Sequence, residues 1–338
     1  MRAIQIMKAG TPEQLRLQEM PLPEPAAGQV QISVRAAGIN FADILARQGI
    51  YPDCPPYPCV VGYEVAGVVT DVGEGVDADW IGREVLALTD FGGYAEYSCV
   101  DVRYVWVKPA ALNFAEAAAI PLNGITAWAL LVAMGGLQPE DTVLIHNAGG
   151  GVGLAALDIA RHIGARTIGA ASARKHEFLR ERGCDECVDY RAADWPAQIM
   201  ALTEDRGVEL AIDPIGGPHW RRTASVLSKT GRMGVFGISG ASAPGWRGKL
   251  NLMGMFLRTR PVHPVSLIRG NQGVFGVNIH AMYGEHARFD RWMRALLAGV
   301  EAGWYRPHVD QVFRFDQAAA AHAHVEARNS IGKVILAP

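Results

Sequence analysis

The chain has 338 residues, which at roughly 150 residues per domain makes about two domains, each with its own core, and excludes small disulfide scaffolds. It is 49% hydrophobic and 20% charged with 38 Gly and 19 Pro, the composition of a folded globular protein. With 32 Lys and Arg against 34 Asp and Glu, a formal charge of −2, it has no global basic field to hold nucleic acid or an anionic membrane.

Met1 to Gly10 alternates like a strand around Arg2 and Lys8, unlike a signal peptide. The alternation continues to about Pro109. Gln29 to Arg35, Val65 to Val72 and Tyr94 to Val100 read as short strands of a mainly β domain, separated by turns such as Gly73-Glu74-Gly75. The five cysteines, Cys54, Cys59, Cys99, Cys184 and Cys187, are an odd and scattered set, which argues for reduced thiols in the cytoplasm. Ala117 to Pro139 carries no charge, but Pro121, Asn123, Gly124, Gly135, Gly136 and Gln138 interrupt it. It is therefore expected as a buried loop and helix, with no membrane span.

After Phe114 the period changes. Helical runs (Ala115 to Ala119, Thr126 to Met134, Leu154 to Ile163, Arg174 to Arg182, Trp195 to Thr203) alternate with short apolar strands at Thr142 to His146, Arg166 to Ala170, Glu186 to Asp189, Val208 to Ile212 and Arg232 to Phe236. Such alternation implies a parallel sheet covered on both faces, hence an α/β fold. The soft apolar run Gly248 to Leu257 reads by default as a core helix, with a lid over an apolar substrate or a lipid contact as the other readings. From about Pro261 the chain is mixed: a last strand Gly273 to Asn278, helices Arg288 to Ala302 and Gln317 to Ala327, and a closing strand Gly332 to Leu336. The resulting division is 1–121, 122–262 and 263–338.

The strand Thr142 to His146 runs into Asn147-Ala148-Gly149-Gly150-Gly151-Val152-Gly153 and then a helix. Strand, glycine turn and helix in this order, here Ala148-x-Gly150-x-x-Gly153, form the dinucleotide fingerprint. Its glycines give a tight turn, close approach to the pyrophosphate and close helix packing, and the helix N-terminus faces the phosphates. An NAD site would place an acid about 20 residues on. This chain has Ala171-Ser172-Ala173-Arg174-Lys175 instead. A hydroxyl and two cations suit a 2′-phosphate and so NADP(H), although Ser172 also suits a helix N-cap and Arg174 and Lys175 a solvated first turn.

With these motifs in place, the sequence resembles the medium-chain dehydrogenase/reductase superfamily, in its zinc-free quinone oxidoreductase branch. The resemblance rests on Gly38-Ile39-Asn40-Phe41-Ala42-Asp43, Gly62-Tyr63-Glu64-Val65-Ala66-Gly67, Asn123-Gly124-Ile125-Thr126-Ala127, the glycine loop, Asp213-Pro214-Ile215-Gly216-Gly217 and Gly332-Lys333-Val334. Asn40 to Tyr51 and Ala171 to Glu177 are most similar to vesicle amine transport protein homologues, and polyketide enoyl reductase domains are a more distant likeness. The resemblance implies a GroES-like mainly β catalytic domain, a Rossmann doubly wound parallel-sheet NADP-binding domain, and a C-terminal segment that adds the last Rossmann strand and returns to the first domain. It also implies that Asn40, Asp43, Tyr51 and Tyr63 surround the reacting groups: Asn40 and Tyr51 as polar contacts to substrate or ribose, Asp43 holding their arrangement, and Tyr63 in the vacated metal space. Asp43 equally suits a cap on a helix starting at Ile44, and Tyr51 a loop aromatic. Cofactor contacts implied besides Ala148, Gly149, Gly150, Gly151, Val152, Gly153, Ser172, Arg174 and Lys175 are Thr126, Tyr190, Gly237, Phe275, Val277, Asn278 and Lys333, the last also readable as a solvated strand lysine.

Alcohol dehydrogenases place a zinc-binding Cys and His where this chain has Asn40 and Tyr63, and neither replacement is a good zinc ligand. Cys184-Asp185-Glu186-Cys187 lacks a second Cys pair, His322 and His324 do not share a helix face, and His146 reads as packed. No metal is expected. Without zinc, nothing strongly acidic polarises an alcohol, and the expected reaction is hydride transfer from NADPH to a quinone or an α,β-unsaturated carbonyl, small-molecule substrates. Two other readings stay open: an NADPH-binding vesicle-protein-like chain with little turnover, and a pathway enoyl reductase acting on acyl thioesters. The short apolar stretch Gly273 to Val277, last in its sheet, points to a homodimer through that edge.

Overall fold

A computed structural model describes residues 1–259 and 262–338. The change of character expected at about Pro261 falls outside them. The alternating first part of the chain folds into two sheets. In the smaller, Arg2–Ile6 lies between Leu15–Glu19 and Cys59–Val60, antiparallel to both. The larger is seven-stranded, in the order Val309–Arg314, Lys333–Ala337, Gln29–Ile39, Glu64–Val72, Glu84–Leu88 and Val105–Val107, with Tyr97–Asp101 also paired to Gln29–Ile39. Two of these strands come from the end of the chain, so the C-terminal segment closes on the first domain. The strand expected from Tyr94 starts only at Tyr97. Residues Tyr94 to Glu96 tie the two sheets together instead: Ile4 N–H donates to Tyr94 O (2.8 Å), Ala3 bridges Ala95, and Glu96 donates its N–H to Arg2 O (3.0 Å) while its O accepts from Val34 N–H (2.8 Å) of the larger sheet.

The third sheet has six strands, all parallel, in the order Glu186–Asp189, Arg166–Ala171, Thr142–His146, Val208–Asp213, Leu227–Val235 and Gly273–Gly276. From Thr142–His146 the chain steps outward twice, then returns to the other side of that strand. The switch in direction opens a crevice at the carboxyl ends of Thr142–His146 and Val208–Asp213, where ligands of such sheets bind. One face buries Leu144, Ile168, Ala211 and Met233 against Trp195 and Ile199. The other buries Val143, Ile145, Leu210 and Ile212 with Leu154 and Leu157 of the helix Gly151–Ile163. Both faces are covered, which is why these strands read as continuous apolar runs.

Several elements depart from expectation. The last strand stops at Gly276, leaving Val277 and Asn278 beyond it. The fifth strand starts at Leu227, because that residue pairs with Val208 before a bulge lets Arg232 meet Leu210. The helix expected from Arg174 is a 3-10 turn, Ala173–Lys175, followed by His176–Glu181. The uncharged stretch is the helix Pro121–Trp128 continued by a π-helical turn, Ala129–Ala133, so a division after residue 121 falls just inside a helix. The helical stretch Phe114–Ala133 is long and apolar enough to cross a membrane, and 72% of its most apolar window is buried within the protein. The helix Trp246–Arg258 contradicts the core-helix reading: only Gly248 is buried, while Trp246 is 68%, Phe256 70% and Leu257 82% exposed.

Candidate functional site

Strand register assembles the first half of the site. In the large sheet Ala37 faces Val65 on one side of Gln29–Ile39, and Ile39 faces Val334 on the other. Glu64 and Lys333, which begin the two flanking strands, therefore meet beside Gly38 and Asn40. Lys333 Nζ pairs with Glu64 Oε1 and donates to Asn40 Oδ1 (2.6 Å). Asn40 Nδ2 donates to Glu64 Oε1 (2.8 Å), and Glu64 Oε2 accepts from Leu122 N–H (2.7 Å) at the start of the helix Pro121–Trp128. Side-chain exposure is 2% for Lys333 and 0% for Glu64, so the solvated reading of Lys333 is corrected: it is half of a buried ion pair. Only glycine fits at position 38, where a Cβ would lie 2.6 Å from Lys333 Cε and 2.7 Å from Glu64 Oε1.

Asn40 caps the helix Phe41–Gln48, and Asp43 is its third residue, so the expected helix start at Ile44 is corrected. Asp43 is fully buried and accepts from Asn40 N–H (2.8 Å) and Gly62 N–H (2.9 Å). It thereby ties the helix start to the turn that carries Tyr63. Burial pushes its carboxyl up to about 7, against the backbone hydrogen bond from Asn40 and the charge of Lys333.

Tyr63 is 3% exposed and, among the described residues, its hydroxyl makes no well-formed hydrogen bond. Its ring sits edge-on to half-buried Tyr51 (6.1 Å between centroids), tilted on Phe91 (4.9 Å) and edge-on to His280 (6.5 Å). Burial raises both phenols above their usual range, so both stay protonated donors. His280 belongs to the segment that follows the edge strand, and its N–H donates to Asn278 Oδ1 (3.1 Å). That segment carries Val277 and Asn278 towards the aromatic wall.

The glycine loop adjoins the strand that carries Lys333. Gly332 N–H donates to Gly149 O (2.9 Å), and Gly150 bridges Gly332 one residue before Lys333. Gly150 caps the helix Gly151–Ile163 with no side chain to close its first-turn amides. A Cβ on Gly151 would stand 2.3 Å from Asn123 Nδ2, and one on Gly153 2.4 Å from Asn147 O. A bare backbone at a helix N-terminus in the switch-point crevice fits a pyrophosphate. Thr126, on the helix beside it, is buried with its hydroxyl donating to Leu122 O (2.6 Å). Gly237 follows the fifth strand, where a Cβ would be 3.0 Å from Pro214 O.

At the end of Arg166–Ala171, Ser172 is buried at the N-cap position of the turn Ala173–Lys175, as the cap reading expects, but its side chain makes no cap hydrogen bond. Lys175 is 6% exposed, contrary to the solvated reading, and its ammonium donates to Ser330 O. Burial pulls its pKa down to about 8, and the charges of Arg174 and Arg191 add to the effect. Arg174 is exposed and donates to Arg328 O (2.9 Å). Tyr190, half-buried after Glu186–Asp189, carries the Arg191 guanidinium over its ring at 5.7 Å. Three cations and a hydroxyl thus surround the place where an NAD site would carry an acid.

Sequence reasoning missed Glu64, His280 and Arg191. Glu64 had a signal, a lone carboxylate opening an apolar strand, which demands a buried partner. Arg191 sat beside Tyr190 unremarked, and His280 had no local signal. Among the described residues, His146, Asp213 and His219 hold ligand-type atoms within 4.8 Å of one another. Thr223 links the three, donating to Asp213 Oδ2 (2.7 Å) and lying 3.1 Å from His146 Nε2, while His219 Nδ1 lies 2.7 Å from the same oxygen. His146 is fully buried, and burial lowers its pKa to about 4, in keeping with a packed residue.

Residues 26–110 match the family described as alcohol dehydrogenase GroES-like domain, and residues 182–336 the family described as zinc-binding dehydrogenase. The catalytic zinc that this description implies does not fit the residues present. Where alcohol dehydrogenases place Cys and His stand an amide and a phenol, and the nearby Glu64 carboxylate is already neutralised by an ammonium. The chain is 36% identical over 345 residues to rat synaptic vesicle membrane protein VAT-1 homolog, covering 100% of this chain and 84% of the relative. It is 30% identical to human quinone oxidoreductase, covering 99% and 97%. The crystal structure of Escherichia coli quinone oxidoreductase complexed with NADPH matches with a TM-score of 0.89 and 28% identity, covering 100% of both chains. By fold, motifs and these matches, the chain belongs to the medium-chain dehydrogenase/reductase superfamily of oxidoreductases, in the branch that holds the VAT-1 homologues and the quinone oxidoreductases.

Proposed function

We propose that the chain is a zinc-independent, NADPH-dependent reductase of quinones or α,β-unsaturated carbonyl compounds. The observation that carries the reading is the buried, unpartnered Tyr63 hydroxyl beside an Asn40–Glu64–Lys333 cluster whose own charges are already matched. The cofactor is NADP(H): Gly149 to Gly153 cradle its pyrophosphate, Ser172, Arg174 and Lys175 with Tyr190 hold the adenosine phosphate end, and Thr126, Phe275 to Asn278 and Gly237 line the nicotinamide end. When bound, it supplies a hydride. Tyr63, helped by Tyr51, donates a hydrogen bond to the acceptor oxygen as negative charge develops there, which suits a quinone or enone and gives no means of ionising an alcohol. Asp43 holds the Tyr63 turn and the Asn40 helix in register. Asn40 orients Lys333 and Glu64, a tighter role than a free substrate contact.

The proposed division is catalytic at 1–121 and NADP-binding at 122–262, with 263–338 supplying the edge strand and the return. A homodimer through that edge strand and a cytoplasmic location for the five free cysteines belong to the same reading. Tyr63→Phe tests it directly. Because the lone buried hydroxyl costs about 1–3 kcal/mol unbonded, the variant should be at least as stable as wild type. It should keep its NADPH affinity and lose about 10²-fold in kcat. Unchanged turnover would remove Tyr63 from the mechanism.

A further inference from the structure

Between Tyr51 and Tyr63 the chain carries two cysteines that none of the roles above uses. Cys54 Sγ and Cys59 Sγ lie 4.0 Å apart, and either can donate to the other. Their surroundings differ. Cys59 is 7% exposed and anchored in the strand Cys59–Val60, paired with Ile6 of the N-terminal strand. Cys54 is half-buried in an irregular turn, its N–H bonded to Tyr51 O (3.2 Å) and its thiol 3.4 Å from Pro55 O. The hydrogen bond from Cys59, with a smaller one from Tyr57, draws the Cys54 thiol down to about 7, while the same contact pushes Cys59 up. A partly exposed thiolate with a thiol beside it is the arrangement of a redox-responsive pair.

We propose that Cys54 and Cys59 form a reversible disulfide in response to hydroperoxides and that its closure withdraws Tyr51 from Tyr63. The Cys54 thiolate attacks the terminal peroxide oxygen. The O–O bond breaks, the leaving alkoxide or hydroxide takes up a proton, and Cys54 becomes a sulfenic acid. The Cys59 thiol then attacks that sulfur, the S–O bond breaks, and the oxygen leaves as water with the thiol proton. In balance, two thiols and one hydroperoxide give one disulfide, one alcohol or water, and one further water. The two sulfurs must approach from 4.0 Å to about 2.05 Å. Since Cys59 is fixed by its strand, the movement falls on the Cys54 turn, and the bond from Cys54 N–H passes it to Tyr51. Formation of the disulfide stands apart from the reductase reading; its effect on turnover rests on it.

The test exposes the full-length protein to a small excess of hydrogen peroxide at neutral pH, blocks remaining thiols by alkylation, and maps the peptides by mass spectrometry. The expected result is a Cys54–Cys59 cross-linked peptide and an intact mass lower by two hydrogens, both reversed by dithiothreitol. Cys59→Ser should leave a sulfenic acid at Cys54 that dimedone traps, and Cys54→Ser should leave Cys59 alkylatable. Acceptor-dependent NADPH oxidation should fall severalfold on oxidation, recover with dithiothreitol, and stay constant in peroxide-treated Cys54→Ser. Buried Cys184, with Cys187 three residues on, is the internal comparison. The proposal is overturned if Cys54 and Cys59 both stay alkylatable, if only Cys184 and Cys187 become linked, or if Cys54 passes to a sulfinic acid with Cys59 still free. A disulfide that forms without changing the turnover of an active enzyme would overturn the link to Tyr51.

Discussion

Lys333 and Glu64 are each useful only while the other is present. Removing the ammonium leaves a carboxylate at 0% exposure with a neutral amide and one N–H as partners, and breaking such a buried pair costs about 3–5 kcal/mol. Lys333→Met should therefore lower the free energy of unfolding by that amount in denaturant titration, and adding Glu64→Gln should recover part of the loss. At the other end of the crevice, Lys175 gives a pH signature. Its pKa in the free protein is drawn down to about 8, and a 2′-phosphate beside it would favour the charged form. Binding then takes up a proton as pH rises through about 8, so NADPH affinity should be flat below about pH 7 and weaken as pH rises through 8 and beyond, while NADH affinity should not follow. Lys175→Ala should raise the Kd for NADPH by about 10- to 100-fold and flatten its pH dependence. Titration showing equal affinities for the two cofactors would remove the phosphate assignment. Residue types in this site were legible where a motif fixed them: Asn40, Tyr63, and the missing acid before Arg174. The pairing of Glu64 with Lys333 was not, because strand register makes it, and Lys333 reaches Asn40 across 293 positions of chain.

At the scale of elements, the glycine loop was readable because a strand, a glycine turn and a helix must follow one another in sequence. The alternation of strands and helices gave the parallel sheet for the same local reason. What failed was exposure and termination. Tyr94 to Glu96 alternate like the strand after them but also bond the smaller sheet, a choice made by Ala3 and Ile4 far upstream. The helix Trp246–Arg258 has the composition of a core element, yet Phe256 and Leu257 are exposed. Among the described residues the strand Gly273–Gly276 pairs only on the Leu227–Val235 side, which leaves its outer edge open to strand addition. The exposed residues Val265 and Ile268, on the helix leading into it, widen the apolar surface there. Light scattering at micromolar concentration should give twice the 36.4 kDa of the chain, and a monomer would contradict the edge-to-edge dimer.

At the scale of the whole molecule, one arrangement joins the parts. The return strand Lys333–Ala337 enters the first domain directly after Gly332 has bonded the glycine loop, so the loop that suits a pyrophosphate and the cluster that orders Asn40 share one piece of chain. The segment after the edge strand crosses from the parallel sheet to Tyr63 through His280. On the proposed reading, cofactor cradle and aromatic wall act as one site that works without a metal. The measurement that bears most directly on this account is the rate of NADPH oxidation in the presence of a metal chelator, with 1,2-naphthoquinone or a simple enone as acceptor. Turnover should match that without chelator, and primary alcohols with NADP should give no comparable rate. Tight NADPH binding with no quinone, enone or enoyl thioester able to accelerate its oxidation, or activity that returns only with zinc, would contradict it.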